Sequence, residues 1–463
     1  MKNKTVKNFV NYFFSDLFVK GFLFISLPLL SRIMDPSEYG KLSLVNAAIS
    51  ILFVFLSFNI QNAITNQYMR DNKDFGSYLF SSLSFLIPVQ IFVILLSPFY
   101  LSYLAHWFGL LERDLFYVLI ICSMLTLFNV YMGYLLASSN SKEYSIWNVI
   151  SKLAELSLIF IFAFMLVDNQ YLSKIYAQLL VTIVTLLFVA PKLYKLMTVK
   201  FNVNYVRAAL LFALPLIPHA ITNNLLSQVD RFLINAELGS SATGIYSFSY
   251  NLGMAIVIVI MAWNASWQPK LFQLLNKKSE KNISKVIYSS AILILFFSLL
   301  AIFFSGEVVI ILADSSYYDS MKIIPIIVIG NALIHIYMSY ANFVFYEKKT
   351  FYISFATAIA LLVNTVLNLW LIPIYGVDGA AWATVASYFF LCLSHYLTST
   401  YLLKCNPISI WLLIIFTALL LIIYYVFILL SLLPYVIFLI SKITIVLLFA
   451  SLIYNYRKKL SFN

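Results

Sequence analysis

The sequence predicts an all-α polytopic membrane protein with about fourteen transmembrane helices, arranged as two six-helix lobes followed by two C-terminal helices. Three observations predict this. First, 62% of the 463 residues are hydrophobic and 10% are charged, whereas a soluble domain carries about 45–50% apolar and about 25% charged residues. No water-soluble core of this length hides so much apolar surface, so lipid must be the solvent. Second, apolar stretches long enough to span a bilayer, roughly 20 residues each, follow one another with only short connectors. Third, the basic residues of those connectors alternate between a rich side and a poor side.

The stretches run approximately 9–32, 42–67, 78–104, 115–138, 144–167, 171–191, 208–235, 243–267, 286–312, 323–345, 351–374, 379–403, 409–430 and 435–456. Lys2, Lys4 and Lys7 before the first resemble a secretory leader, but no A-x-A cleavage site follows. The first stretch is therefore taken as a membrane helix. Alternating loops place twenty-one Lys and Arg residues on one side, among them Lys192, Lys195, Lys200 and Arg207. The other side takes only Arg32, Lys41, Arg113, Lys174 and Lys322, together with most loop acids, such as Glu38, Glu112 and Asp114. The positive-inside rule makes the rich side cytoplasmic, so both termini are cytoplasmic and the number of spans is even. The net charge of +12 comes from residues scattered singly between apolar runs, a pattern of membrane topology and not of nucleic-acid binding.

The connectors also divide the chain. Residues 1–191 hold helices one to six, and 192–207 is a basic, polar cytoplasmic linker. Residues 208–403 hold helices seven to twelve, and 404–463 the last two helices and a cytoplasmic tail. PSEYGKLS, from Pro36 to Ser43, resembles SSATGIYS, from Ser240 to Ser247, with Gly40 opposite Gly244. Each octet follows the first helix of its half. Weak internal symmetry of this kind marks transporters, with the substrate path between the halves.

Polar residues inside the spans are the candidate functional groups. A charge at the centre of a membrane helix costs roughly 2.5–3.5 kcal/mol on the insertion scale, so it should face protein or water. Asp16 and Lys20, spaced i, i+4, can pair on the first helix, and Lys152 and Glu155 are spaced i, i+3 on the fifth. His219, Asn223, Ser227 and Arg231 recur every four residues along the seventh, with Asp230 beside the last. Asn331, His335, Ser339 and Asn342 form a second stripe on the tenth, and Asn59, Asn62 and Asn66 mark the second. Hydrogen bonding between helices is the alternative role for each neutral member. Lys442 is expected to snorkel to the interface and Glu307 to lie wetted near an outer end. Pro28, Pro88, Pro215, Pro218 and Pro325 are expected to kink their helices.

No enzymatic signature accompanies these groups. There is no GxxxxGK[ST], no GxGxxG after a strand and no HExxH. His106, His219, His335 and His395 lack metal-ligand spacing, and Cys122, Cys392 and Cys405 form no CxxC pair. No cofactor or metal is expected.

Three stretches resemble the polysaccharide flippases of the multidrug/oligosaccharidyl-lipid/polysaccharide exporter superfamily, often called Wzx or O-antigen flippases. They are PLLSRIMDPSEYGKLSLV from Pro28 to Val45, DRFLINAELGSSATGIYSFSYNLG from Asp230 to Gly253, and NLWLIPIYGVDGAAWATVASY from Asn368 to Tyr388. In the last, Gly376 and Gly379 permit a tight turn, and Ala380, Ala381 and Ala383 let the returning helix pack closely. The resemblance implies a MATE-like fold, two lobes around a V-shaped cavity. It implies an undecaprenyl-diphosphate-linked oligosaccharide as substrate, moved to the outer leaflet of a bacterial cytoplasmic membrane. Membrane lipids, a polysaccharide polymerase and a chain-length regulator are the implied partners. A diphosphate needs basic groups in a dry cavity. Lys20 and Arg231 are the expected anion ligands, assisted by His219, with Asn223, Asn59, Asn62, Asn331 and His335 lining the path for sugar hydroxyls. Asp16, Asp230 and Glu155 are candidates for coupling to H⁺ or Na⁺, with the membrane potential as the other driving force. A multidrug-type antiporter and a membrane glycan polymerase or ligase are the competing functions.

Overall fold

The computed structural model describes residues 2–71, 73–277 and 280–460. Among them every regular element is helical. Twelve helical stretches are long and apolar enough to cross a membrane. Two of these, Val203–Asn276 and Thr350–Leu402, have 74 and 53 residues. At about 1.5 Å per residue they far exceed a hydrocarbon core of about 30 Å, so each folds back and crosses twice. This gives the fourteen crossings that the sequence predicts. The reversals occur at Gly239 (φ 84°) and Gly376 (φ 61°), where an L side chain would be strained.

The chain forms two compact units, Met1–Gly244 and Ile245–Asn463. In the first, α1 (Lys2–Ile33) is followed by α2 (Pro36–Ser57), α3 (Ile60–Arg70), α4 (Phe75–Leu95) and α5 (Ser97–Phe108). Then come α6 (Glu112–Ala137), α7 (Ser141–Met165), α8 (Leu172–Leu196) and α9 (Val203–Ala213). The following helix, α10 (Ile217–Gly253), runs into the second unit. That unit continues with α11 (Ala255–Asn276), α12 (Glu280–Phe303), α13 (Ser305–Leu312), α14 (Ser320–Tyr346) and α15 (Thr350–Leu397). It ends with α16 (Trp411–Ser431) and α17 (Tyr435–Leu460).

Several of the expected single spans are interrupted. The second breaks between α2 and α3, where Phe58 and Asn59 take left-handed angles of φ 48° and 54°. Such angles cost energy for non-glycine residues, and Gln90 of α4 relieves part of it by donating to the Leu56 carbonyl at 2.9 Å. The third is α4 followed almost directly by α5, and the ninth is α12 followed by α13. Apolar composition is uniform across these joints, so hydropathy does not mark them. Pro215 sits in a single 3₁₀ turn, Leu214–Leu216, between α9 and α10. Pro28, Pro88 and Pro325 stay inside helices.

The linker after α8 is tied down within the first unit. Asn202 caps α9 by accepting from the Asn204 amide at 2.9 Å, and its own amide donates to Ser81 Oγ of α4 at 2.9 Å. The two similar octets meet. The first turn of α2 crosses residues 240–244 of α10, and the hydroxyls of Ser37 and Ser240 lie 2.7 Å apart. A Cβ on Gly40 would fall 1.9 Å from the Ser240 carbonyl, and one on Gly244 would fall 1.8 Å from that of Pro36. Backbone approaches backbone here, which only glycine allows.

In the second unit α14 is almost wholly buried, wrapped by α11, α12, α15 and α16. The last helix is held differently from expectation. Lys442 does not snorkel: it is 2% exposed, its Nζ 2.7 Å from Glu307 Oε1 and 3.8 Å from the Phe438 ring centre. It lies seven residues into α17, and a carboxylate on α13 is within hydrogen-bond reach of it. Glu307 is accordingly its partner and not simply a wetted end residue.

Candidate functional site

The first unit contains a ladder of polar contacts between α1 and α7. At the end formed by the first turns of α1 and α7, Asn8 Nδ2 donates to the Ser139 carbonyl at 3.2 Å, and Ser141 Oγ donates back to Asn8 Oδ1 at 2.7 Å. Asn11 Nδ2 then meets Ser141 Oγ at 3.0 Å, and Ser145 Oγ meets the Asn11 carbonyl at 3.0 Å. One turn further, Asn148 Nδ2 donates to Asp16 Oδ1 at 2.9 Å. The α7 residues that make these contacts, with the two charges beyond them, are Ser141, Ser145, Asn148, Lys152 and Glu155. Their spacings of three and four residues put them on one helical face.

The ladder ends in a cluster of charges. Lys152 Nζ lies 2.8 Å from Glu155 Oε2, and Lys174 Nζ of α8 bonds to Glu155 Oε1. Glu155 and Lys174 are buried, while the Lys152 side chain is 40% exposed. Beyond it, toward the α7–α8 connection, Tyr171 OH donates to the fully buried Asp114 at 2.7 Å, and the Tyr171 amide donates to Glu38 at 2.9 Å. Glu38 also pairs with Lys41 at 3.0 Å. Polar groups thus follow one another along α7 and past it toward that connection.

The sequence-derived candidates fall into four places. Asp16 and Glu155 lie on this ladder, Asp16 exposed and Glu155 buried. The Lys20 side chain lies outside the described residues. Asn59 occupies the break before α3 and is buried, its Nδ2 without a hydrogen-bond partner, while Asn62 is exposed one turn on. His219, Asn223, Asp230 and Arg231 share α10. Their environment grades from half-buried His219 and exposed Asn223 to buried Asp230 and Arg231. Arg231 Nη1 donates to the Ser227 carbonyl at 3.1 Å and to the Gln228 side chain. Neighbouring Asn224 donates to the Ser50 carbonyl of α2 at 2.9 Å.

Asn331 and His335 lie in the second unit, both 0% exposed. His335 Nε2 is 3.1 Å from Ser290 Oγ, and its ring stands edge-on to Trp263 at 4.4 Å. His335 Nδ1 and both polar atoms of Asn331 have no hydrogen-bond partner. Near the C-terminal end of α14, Asn342 joins Asn264 and Gln268 of α11 at 2.8 and 3.0 Å.

Two participants escaped sequence reasoning. Lys174 was counted among the outer-loop bases, yet it stands in the first turn of α8 and turns inward to Glu155. Asn148 was passed over because a single Asn in a span carries no distinctive signal. The three-and-four spacing along α7 was the signal that could have found the ladder.

Sequence comparison places this architecture. The Polysaccharide biosynthesis protein family matches residues 5–275, more than half of the chain. The chain belongs to that family. The matched region contains the whole α1–α7–α8 ladder. Among individual relatives, the chain is 22% identical over 370 residues to Lsg locus putative protein 1 of Haemophilus influenzae, covering 78% of this chain and 89% of that protein. It is 20% identical to a second Haemophilus influenzae protein, described as a membrane protein, covering 77% and 88% respectively. Solved structures share the fold. The inward closed conformation of the lipid II flippase MurJ matches with a TM-score of 0.72 at 16% identity, over 98% of this chain and 100% of that one. An inward-facing multidrug resistance MATE family transporter of the MOP superfamily matches with a TM-score of 0.62 at 11% identity, over 85% and 94%. The family member described here is therefore a multi-pass membrane protein with the MATE-like transporter fold expected from its three motifs.

Proposed function

We propose that the protein is a flippase that carries undecaprenyl-diphosphate-linked oligosaccharide units, precursors of O-antigen or another surface polysaccharide, across the bacterial cytoplasmic membrane by alternating access. The observation that carries this reading is the polar ladder of the first unit, which lies inside the region matched by a polysaccharide biosynthesis family. The amides and hydroxyls of such a ladder suit sugar hydroxyls, while the isoprenoid tail stays in lipid. Both termini are cytoplasmic in this reading. The lobes are residues 1–191 and 208–403, joined by 192–207, with 404–463 as an appendage.

Within this reading Lys20 and Arg231, with His219, receive the diphosphate. Asn223, Asn59, Asn62, Asn331 and His335 serve the glycan. Asp16 and Asp230 are the remaining candidates for coupling an ion. Glu155 is committed to two lysines and is better suited to organising charge. No nucleotide-binding motif supplies energy, but an anion leaving a negative interior gains about 2.3 kcal/mol per charge per 100 mV. A polymerase and a chain-length regulator would act on the delivered units.

A multidrug-type antiporter would present acids to cationic drugs, whereas the charge cluster beside α7 has two bases to one acid. A polymerase or ligase would need a large outer loop bearing catalytic groups, and the connectors are all short. The test is deletion in the native cell. Surface polysaccharide should fall and lipid-linked units should accumulate in the inner leaflet. Intact surface polysaccharide without accumulation would overturn the reading.

A further inference from the structure

We propose that Lys152 is a binding cation for the diphosphate of the lipid-linked substrate, held charged and aimed by Glu155 and Lys174. The proposal rests on the flippase reading above and adds a residue and a chemistry to it. One carboxylate is shared by two ammonium groups, so the cluster carries one positive charge in excess. The two buried members, Glu155 and Lys174, cancel each other. The surplus charge therefore resides on Lys152, the member whose side chain is 40% exposed. A surplus charge among membrane-spanning helices is costly unless an anion meets it. The site is thus built to accept one.

The position of Lys152 strengthens this. It stands on the polar face of α7, the face that carries Ser141, Ser145 and Asn148 toward α1. A headgroup whose sugars exchange hydrogen bonds along that ladder brings its diphosphate to Lys152. The Lys152–Glu155 ion pair has one partner that the protein leaves partly uncovered, so Lys152 can turn to another anion more readily than an enclosed group can. The buried Lys174–Glu155 pair is not exchangeable at comparable cost. When Lys152 turns to a phosphate, Glu155 keeps Lys174 and no buried charge is orphaned. Lysine suits the role, being a compact charge on a flexible stem. Asp16, exposed one turn toward the first turns of α1 and α7 and bonded to Asn148, sets a negative edge that disfavours the diphosphate there.

The experiment uses the full-length protein in nanodiscs and farnesyl diphosphate as a soluble probe, with farnesol as the uncharged control. The wild type should bind the diphosphate in a salt-sensitive manner and bind farnesol much more weakly. Lys152→Gln should weaken diphosphate binding by about tenfold to a hundredfold, the range of a lost charge-assisted hydrogen bond. It should leave farnesol binding and the melting temperature unchanged, and Lys152→Arg should restore most of the affinity. Wild-type binding that Lys152→Gln leaves intact would overturn the assignment while the flippase reading stands. Loss of binding only together with loss of the melting transition would also overturn it, since Lys152 would then be structural. A wild-type protein that binds no polyprenyl diphosphate would sink the flippase reading and this inference with it.

Discussion

Glu155→Ala isolates the energetics of the charge cluster. The substitution leaves Lys174 buried with its carboxylate gone, while the Lys152 side chain stays partly uncovered. Breaking a buried ion pair by removing one partner costs about 3–5 kcal/mol. Lys174 stands in the first turn of α8, so the expected loss is at the low end, about 3 kcal/mol. Lys174→Ala should cost less, because Glu155 keeps Lys152 at 2.8 Å. Lys152→Ala should cost about 1 kcal/mol or less, as a half-exposed pair does. The double variant Glu155→Leu with Lys174→Met removes both buried charges and should recover most of the loss, since apolar replacement of a buried pair is often neutral. The assay is denaturant unfolding of the four variants in one detergent, followed by tryptophan fluorescence. A Glu155→Ala protein as stable as wild type would refute the reasoning, as would a double variant weaker than either single one.

Three further outcomes concern helix packing, a buried carboxamide and a thiol. Gly244→Ala drives a methyl into the Pro36 carbonyl. It should cost about 1–3 kcal/mol or more by overpacking and lower transport, read from melting temperature and flipping in proteoliposomes. Asn331→Leu removes a buried carboxamide whose polar atoms have no hydrogen-bond partner. It should stabilise the second unit by about 1–3 kcal/mol, and transport should fall if Asn331 serves the glycan. A thermal melt alongside a flipping assay separates the two effects. Burial pushes the Cys405 thiol, which lies between α15 and α16, up to about 11. Its maleimide labelling should be slow at pH 7 and accelerate as pH rises toward that value, because only the thiolate reacts. Rapid labelling at neutral pH, in a protein carrying Cys122→Ala and Cys392→Ala, would contradict the burial.

The helices, their number and their re-entrant turns were legible because each is a local property of composition. A run of apolar residues must cross lipid wherever it lies in the chain. A glycine at a reversal, such as Gly376, marks the only residue type that tolerates the angle. The similarity of the two octets aligned Gly40 with Gly244, but that the two cross is a long-range contact only the structure shows. The breaks at Asn59 and after Leu95 were not legible, because the backbone turns there without any change in hydropathy.

The candidate site was half legible. The sequence by itself determined that Asp16, Lys152 and Glu155 had to find partners, since a charge in a membrane helix cannot be left in hydrocarbon. Only the tertiary structure decided which partners. Asp16 met Asn148, 132 positions away, and Glu155 took Lys174 from the next helix as well as Lys152 from its own. Local spacing limits a side chain to neighbours three or four residues off. The depth and rotation at which two helices pack are set by every contact along their length. Those contacts placed a second lysine beside Glu155 and left Lys152 with the exposed charge.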